Sequence, residues 1–91
     1  MKYTYYTHGT CSSQIDLEVD NEGILRDVQF YGGCHGNLQG ISTLVRGMPA
    51  ADVISKLQGI RCGYKSTSCP DQLATALREV LASRDAETKE E

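Results

Sequence analysis

The chain reads as an α+β domain, a three-stranded antiparallel meander followed by two or three helices on one face of the sheet. Three observations predict this. Ile15, Leu17 and Val19 alternate with Asp16 and Glu18, the period of a half-buried strand. A turn of Asp20, Asn21, Glu22 and Gly23 then sends the chain back along a second run, Ile24 to Tyr31. Beyond Gly36 the apolar residues fall into steps of three and four, the spacing of helices.

The elements follow in order. Residues 2–7, rich in Tyr and Thr, predict a short first strand, and the Tyr3, Tyr5 and Tyr6 set reads as sheet packing. His8 to Ser13 form a polar loop ahead of the second strand. In the third, Val28 and Phe30 share a face. Gly32 and Gly33 break the strand pattern. Leu38, Ile41, Leu44 and Val45 predict a first helix ending at Gly47, a residue suited to the position after a helix. Pro49 suits the first turn of a second helix, whose apolar face is Val53, Ile54 and Leu57 and which Gly59 stops. A loop from Ile60 to Ser68 follows. Pro70 and Asp71 open a third helix with Leu73, Ala74, Leu77, Val80 and Leu81 on one side.

At 91 residues there is room for one domain, expected to span 1–83, with 84–91 a charged, apolar-free tail expected to be disordered. A chain of this size buries only about 60–65% of its extended surface, so a metal or a partner would add to a marginal core. The net charge of −3, with no basic run, argues against nucleic acid. No apolar stretch approaches a membrane span, and the opening residues lack the apolar core of a signal peptide. A cytoplasmic location and reduced thiols are therefore expected.

That expectation gives the four cysteines their weight. Cys11, Cys34, Cys62 and Cys69 each lie in a glycine- or turn-rich break, and loop thiols in a reducing compartment serve metal ligation or redox chemistry more often than disulfides. Counting chain reversals puts them at one end. The first strand finishes where Cys11 lies, the second runs away, and the third returns to Cys34. One helix descends and the next climbs back to Cys62, and Cys69 opens the third helix there. Cys34 and Cys69 also sit at the starts of helices, whose unpaired N–H groups favour the thiolate, the form that both ligates and attacks. No Cys-x-x-Cys is present, so spacing alone lacks the zinc-ribbon signature, and buried structural thiols or a disulfide stay open as alternatives. His35 is a fifth candidate ligand or a donor to a thiolate, and His8 flanks Cys11; both also read as exposed loop residues. Arg61 and Lys65 bracket Cys62 and would stabilise thiolate charge or stand solvated. No paired carboxylates, Ser–His–Asp set or phosphate loop stands out, and nothing establishes an enzyme.

Thr67, Ser68, Cys69, Pro70 and Asp71 spell the signature of the TSCPD-domain family, and the chain resembles its small stand-alone members. An early lone cysteine, Gly-Gly-Cys at 32–34, the 36–41 segment and Cys62-Gly63 fit the same pattern, which covers about residues 2–82. A related domain lies near the end of cobalamin-dependent ribonucleotide reductases, where terminal cysteines are implicated in thiol exchange. The resemblance implies at most an accessory thiol or metal role, since 91 residues cannot supply the catalytic barrel.

A more distant resemblance is to the NifU/IscU-type iron–sulfur scaffolds, which carry three cysteines in this order on a three-stranded meander followed by helices. It implies a SufE/NifU-like fold with Cys11, Cys34 and Cys69 at the ligand positions. Ser13 stands where the scaffold has Asp, and Ser68 where it has His, so adding Cys62 gives an all-thiolate set. The expected function is a small intracellular metal-binding module with Cys11, Cys34, Cys62 and Cys69 as ligands of zinc or an iron–sulfur cluster. The rivals are a thiol-redox accessory to ribonucleoside-diphosphate reduction, with Cys62 and Cys69 the nearest pair, and a metal-free interaction module or homodimer.

Overall fold

A computed structural model of the chain describes residues 2–10, 12–33, 35–61 and 63–90, with the backbone alone for His35 and 84–90. The strands are β1 (Lys2–Tyr6), β2 (Ser12–Val19) and β3 (Leu25–Gly32), and the helices α1 (His35–Val45), α2 (Ala50–Leu57) and α3 (Cys69–Glu90). The α+β arrangement expected from the sequence is the one observed.

The sheet is antiparallel in the order β1-β2-β3. Ile15, Leu17 and Val19 point to one face and are buried there, as the period of two requires. The register carries that face across the sheet: Tyr5 and Phe30 flank Ile15, and Tyr3 and Val28 flank Leu17. The opposite face carries Thr4, Asp16, Glu18 and Gln29 and is polar. At the β2–β3 turn Asp20 Oδ1 accepts the N–H groups of Glu22 and Ile24 at 2.9 and 3.0 Å, and Gly23 takes φ +84°, open to glycine at little cost.

One local departure from regular pairing bears on the site. Ser12 pairs with Gly32 and Gln14 with Tyr31, so Ser13 is an extra residue in β2. A bulge of this kind reverses the side-chain alternation. Ser12 consequently turns to the core side and is buried, while Ser13 is exposed.

All three helices contribute to one core with the apolar face of the sheet, built from Ile15, Leu17 and Val28 together with Val45, Val53, Leu73, Leu77 and Val80. α1 packs on β3, α3 on β2, and α2 on α3. The apolar faces predicted for α2 and α3 are the observed ones. On α1 the phase differs: Leu38, Ser42 and Val45 are buried, whereas Leu44 is 77% exposed. At about 100° per residue, Leu44 lies roughly 120° round from Leu38, outside the stripe that β3 covers.

The α1–α2 connection is not a free loop. Gly47 N–H donates to the Leu25 carbonyl at 2.8 Å, Leu25 N–H to Met48 at 2.9 Å, and Ala50 N–H to Gly23 at 2.8 Å. This short pairing anchors the far end of the molecule. Pro49 stands just before α2, at its cap, one position earlier than expected. The backbone of α3 runs on to Glu90, through the charged segment set apart above as a tail. Arg, Ala, Glu and Lys are good helix formers, so losing apolar residues there removes packing without removing helix propensity.

Candidate functional site at the thiol end

The register places Tyr6, Ser12 and Gly32 at one end of the sheet. α1 begins just beyond Gly32, and the end of α2 and the start of α3 meet at the same end through a hydrogen bond from Gly59 to Asp71. The chain reversals inferred from sequence are therefore present. Of the predicted ligands, Cys11, Cys34 and Cys62 lie outside the described residues. Cys69 is described: it is buried in the first turn of α3.

The residues around Cys69 form a polar clamp joining three chain segments. Ser68 caps α3: its Oγ accepts the Asp71 N–H at 3.1 Å and donates to the Ile60 carbonyl at 2.7 Å. One hydroxyl thus caps the start of α3 and ties down the α2–α3 connection. Asp71 completes that tie, accepting the Gly59 N–H through Oδ1 at 2.6 Å and the Thr67 hydroxyl through Oδ2. These two bonds, with Arg78 and Arg61 nearby, hold its carboxyl below the usual carboxylate range.

Gln72 fastens the other side. Its Nε2 donates to Thr67 Oγ1 at 3.1 Å, and its Oε1 accepts the His8 N–H at 2.9 Å. The β1–β2 loop also presses against Thr67 through Gly9, where a Cβ would stand 3.2 Å from Thr67 Cγ2. Ser12, turned inward by the bulge, places its hydroxyl 3.1 Å from Cys69 Sγ, and either group can donate. Thr10 Oγ1 lies 3.2 Å from the same hydroxyl.

Beside the clamp runs an open groove of about 550 Å³. Thr10, Gly36, Arg61 and Cys69 all border it. Thr10 and Arg61 are the immediate chain neighbours of Cys11 and Cys62, and Gly36 is two positions from Cys34. Leu38, Ile41 and Leu44 of α1 and Ile60, Arg61 and Lys65 of the α2–α3 connection also line it. The roles expected for the other residues divide. His8 serves through its backbone, with its ring edge-on to Tyr5 at a centroid distance of 6.5 Å. Of the three tyrosines expected to pack on the sheet, Tyr3 and Tyr5 pack against the core, with the Tyr3 hydroxyl donating to Glu79 at 2.8 Å, whereas Tyr6 is exposed. Among the described residues no three of His, Cys, Asp and Glu come together as a metal-ligand group. Among them, too, no helix is long and apolar enough to cross a membrane.

Residues 1–81 of the 91 match the TSCPD domain. This chain belongs to the TSCPD-domain family. No curated protein and no solved structure matches it. The geometry gives each letter of the family signature a physical task. Thr67 relays between Asp71 and Gln72, Ser68 caps α3 and holds Ile60, and Cys69 faces Ser12. Pro70 occupies a first-turn position whose N–H has no partner within the helix, and Asp71 holds Gly59. Sequence reasoning missed Ser12, Ser68, Asp71 and Gln72 as site-building residues. Ser-x-x-Asp ahead of an apolar run is a cap signature that could have found Ser68 and Asp71. The bulge that turns Ser12 inward leaves no local mark in the sequence.

Proposed function

We propose that this TSCPD domain is a small metal-binding module in which Cys11, Cys34, Cys62 and Cys69 supply thiolate ligands to zinc or an iron–sulfur cluster. The observation carrying this reading is the groove, because Thr10, Gly36 and Arg61, each within two positions of a different cysteine, border it together with Cys69.

The donor set fits both groups, since zinc and iron–sulfur clusters accept four thiolates. Zinc held this way would tie loops together and stabilise the fold, whereas a cluster would supply electron transfer or storage. The protein's own contribution is rigidity and hydrogen bonding. The clamp holds the β1–β2 loop and the α2–α3 connection against α3, and Ser12 is placed to donate to a Cys69 thiolate.

Anaerobic purification with elemental analysis tests the proposal. About one zinc per chain, or iron with matching sulfide and a brown colour, is expected. The Cys62→Ser variant should then lose the metal or fold less stably. Metal-free protein whose thiols cycle as a reversible pair would replace the proposal with the thiol-redox reading. A folded, metal-free chain indifferent to Cys62→Ser would end both.

A further inference from the structure

We infer that the groove beside Cys69 is a docking site for an acidic, amphipathic segment of another protein. This goes beyond the thiol chemistry and does not depend on a bound metal.

Charge complementarity decides the occupant. The chain is acidic overall, at −3, yet the described residues bordering the groove include Arg61 and Lys65 and no carboxylate. Neither cation makes a salt bridge among the described residues, where the two are Arg26–Asp20 and Arg46–Asp27. The Asp71 carboxylate, which Arg61 helps hold ionised, is engaged by Thr67 and Gly59. Beside these cations stand Leu44 and Ile60, both exposed, with Tyr64 fully exposed on the same connection. An occupant must therefore bring apolar side chains flanked by carboxylates. The groove is open to solvent, whereas small-molecule sites enclose most of their ligand, so a row of side chains on one segment suits it better.

The α1 wall supports close approach. Gly36 and Gly40 lie one turn apart on it, and a Cβ built at either meets nothing within 4 Å. The described chain thus gives no steric reason for glycine there, although glycine weakens a helix interior. A bare backbone at these positions lets a partner's side chains lie against α1.

The test uses the 91-residue chain as purified, with its metal content measured, against displayed random peptides. Selected peptides should combine apolar residues with Asp or Glu. The best of them should move the amide resonances of Gly36, Gly40, Ile60, Arg61 and Lys65 on titration. The double variant Arg61→Glu, Lys65→Glu should weaken that peptide at least ~10-fold, the scale expected from reversing two complementary charges at such a groove. Gly40→Leu should block it, while Gly40→Ala keeps it. Basic or charge-indifferent selected peptides, no enrichment, or shifts elsewhere on the surface would overturn the inference. So would groove resonances that move with protein concentration alone, which would assign the surface to a second copy. A metal-free sample that still binds keeps this inference while the thiolate proposal fails. A metal-loaded sample that does not bind ends this one alone.

Discussion

Asp71 Oδ1 accepts the Gly59 N–H at 2.6 Å, so the first turn of α3 holds the end of α2 from twelve positions away in sequence. The same carboxylate takes the Thr67 hydroxyl, and Thr67 in turn takes Gln72. One acid therefore anchors the network that fixes the loops around Cys69.

Replacing that acid should make stability depend on pH in a defined way. The Asp71 carboxyl is depressed in the folded state, first by the Thr67 bond and then by the Gly59 bond. A depressed carboxylate contributes stability above its unfolded value of ~3.9, and the contribution is lost as pH falls through the folded value. Asp71→Asn should cost about 1–2 kcal/mol near neutrality. Urea melts at a series of pH values check this. The gap between wild type and variant should be full at neutral pH and close in acid; a gap independent of pH would remove Asp71 from this role.

The two tasks of Ser68 can be separated by substitution. Ser68→Ala loses the cap of α3 and the bond to Ile60, at a cost of about 1–2 kcal/mol. Ser68→Asp restores a cap acceptor but cannot donate to the Ile60 carbonyl. It should recover part of the loss, with faster amide exchange around residues 59–61. Full recovery by Asp would show that the Ile60 bond contributes nothing.

Glycine-to-alanine changes should differ in sign between two positions. Gly9 has φ +73°, and an added Cβ would stand 3.2 Å from Thr67 Cγ2, so Gly9→Ala should destabilise by about 1–2 kcal/mol. At Gly40 an added Cβ meets nothing, so Gly40→Ala should stabilise by about 0.5–1 kcal/mol. Thermal melts of the two variants give the comparison directly.

Two leucines on different helices should respond unequally. Leu77 is fully buried in the core, and Leu77→Ala should cost about 2–5 kcal/mol. Leu44 is exposed on α1, and Leu44→Ala should change stability by less than about 0.5 kcal/mol. A large loss at Leu44 would mean that its side chain packs within the core.

Ile15, Leu17 and Val19 at alternate positions, and Leu73, Leu77 and Val80 at helical spacing, were enough to give β2 and α3 and their buried faces, because one period of burial admits one local geometry. The convergence of chain ends around Cys69 was also legible, since short connections force reversals of direction. Tertiary structure alone settled the rest. It left Leu44 in solvent, because the surface of β3 selects which stripe of α1 is covered. It turned Ser12 inward through Ser13, an extra residue with no counterpart in β3, and joined Gln72 to His8, 64 positions away. Those contacts depend on where distant segments come to rest, and no local pattern of side chains encodes that position.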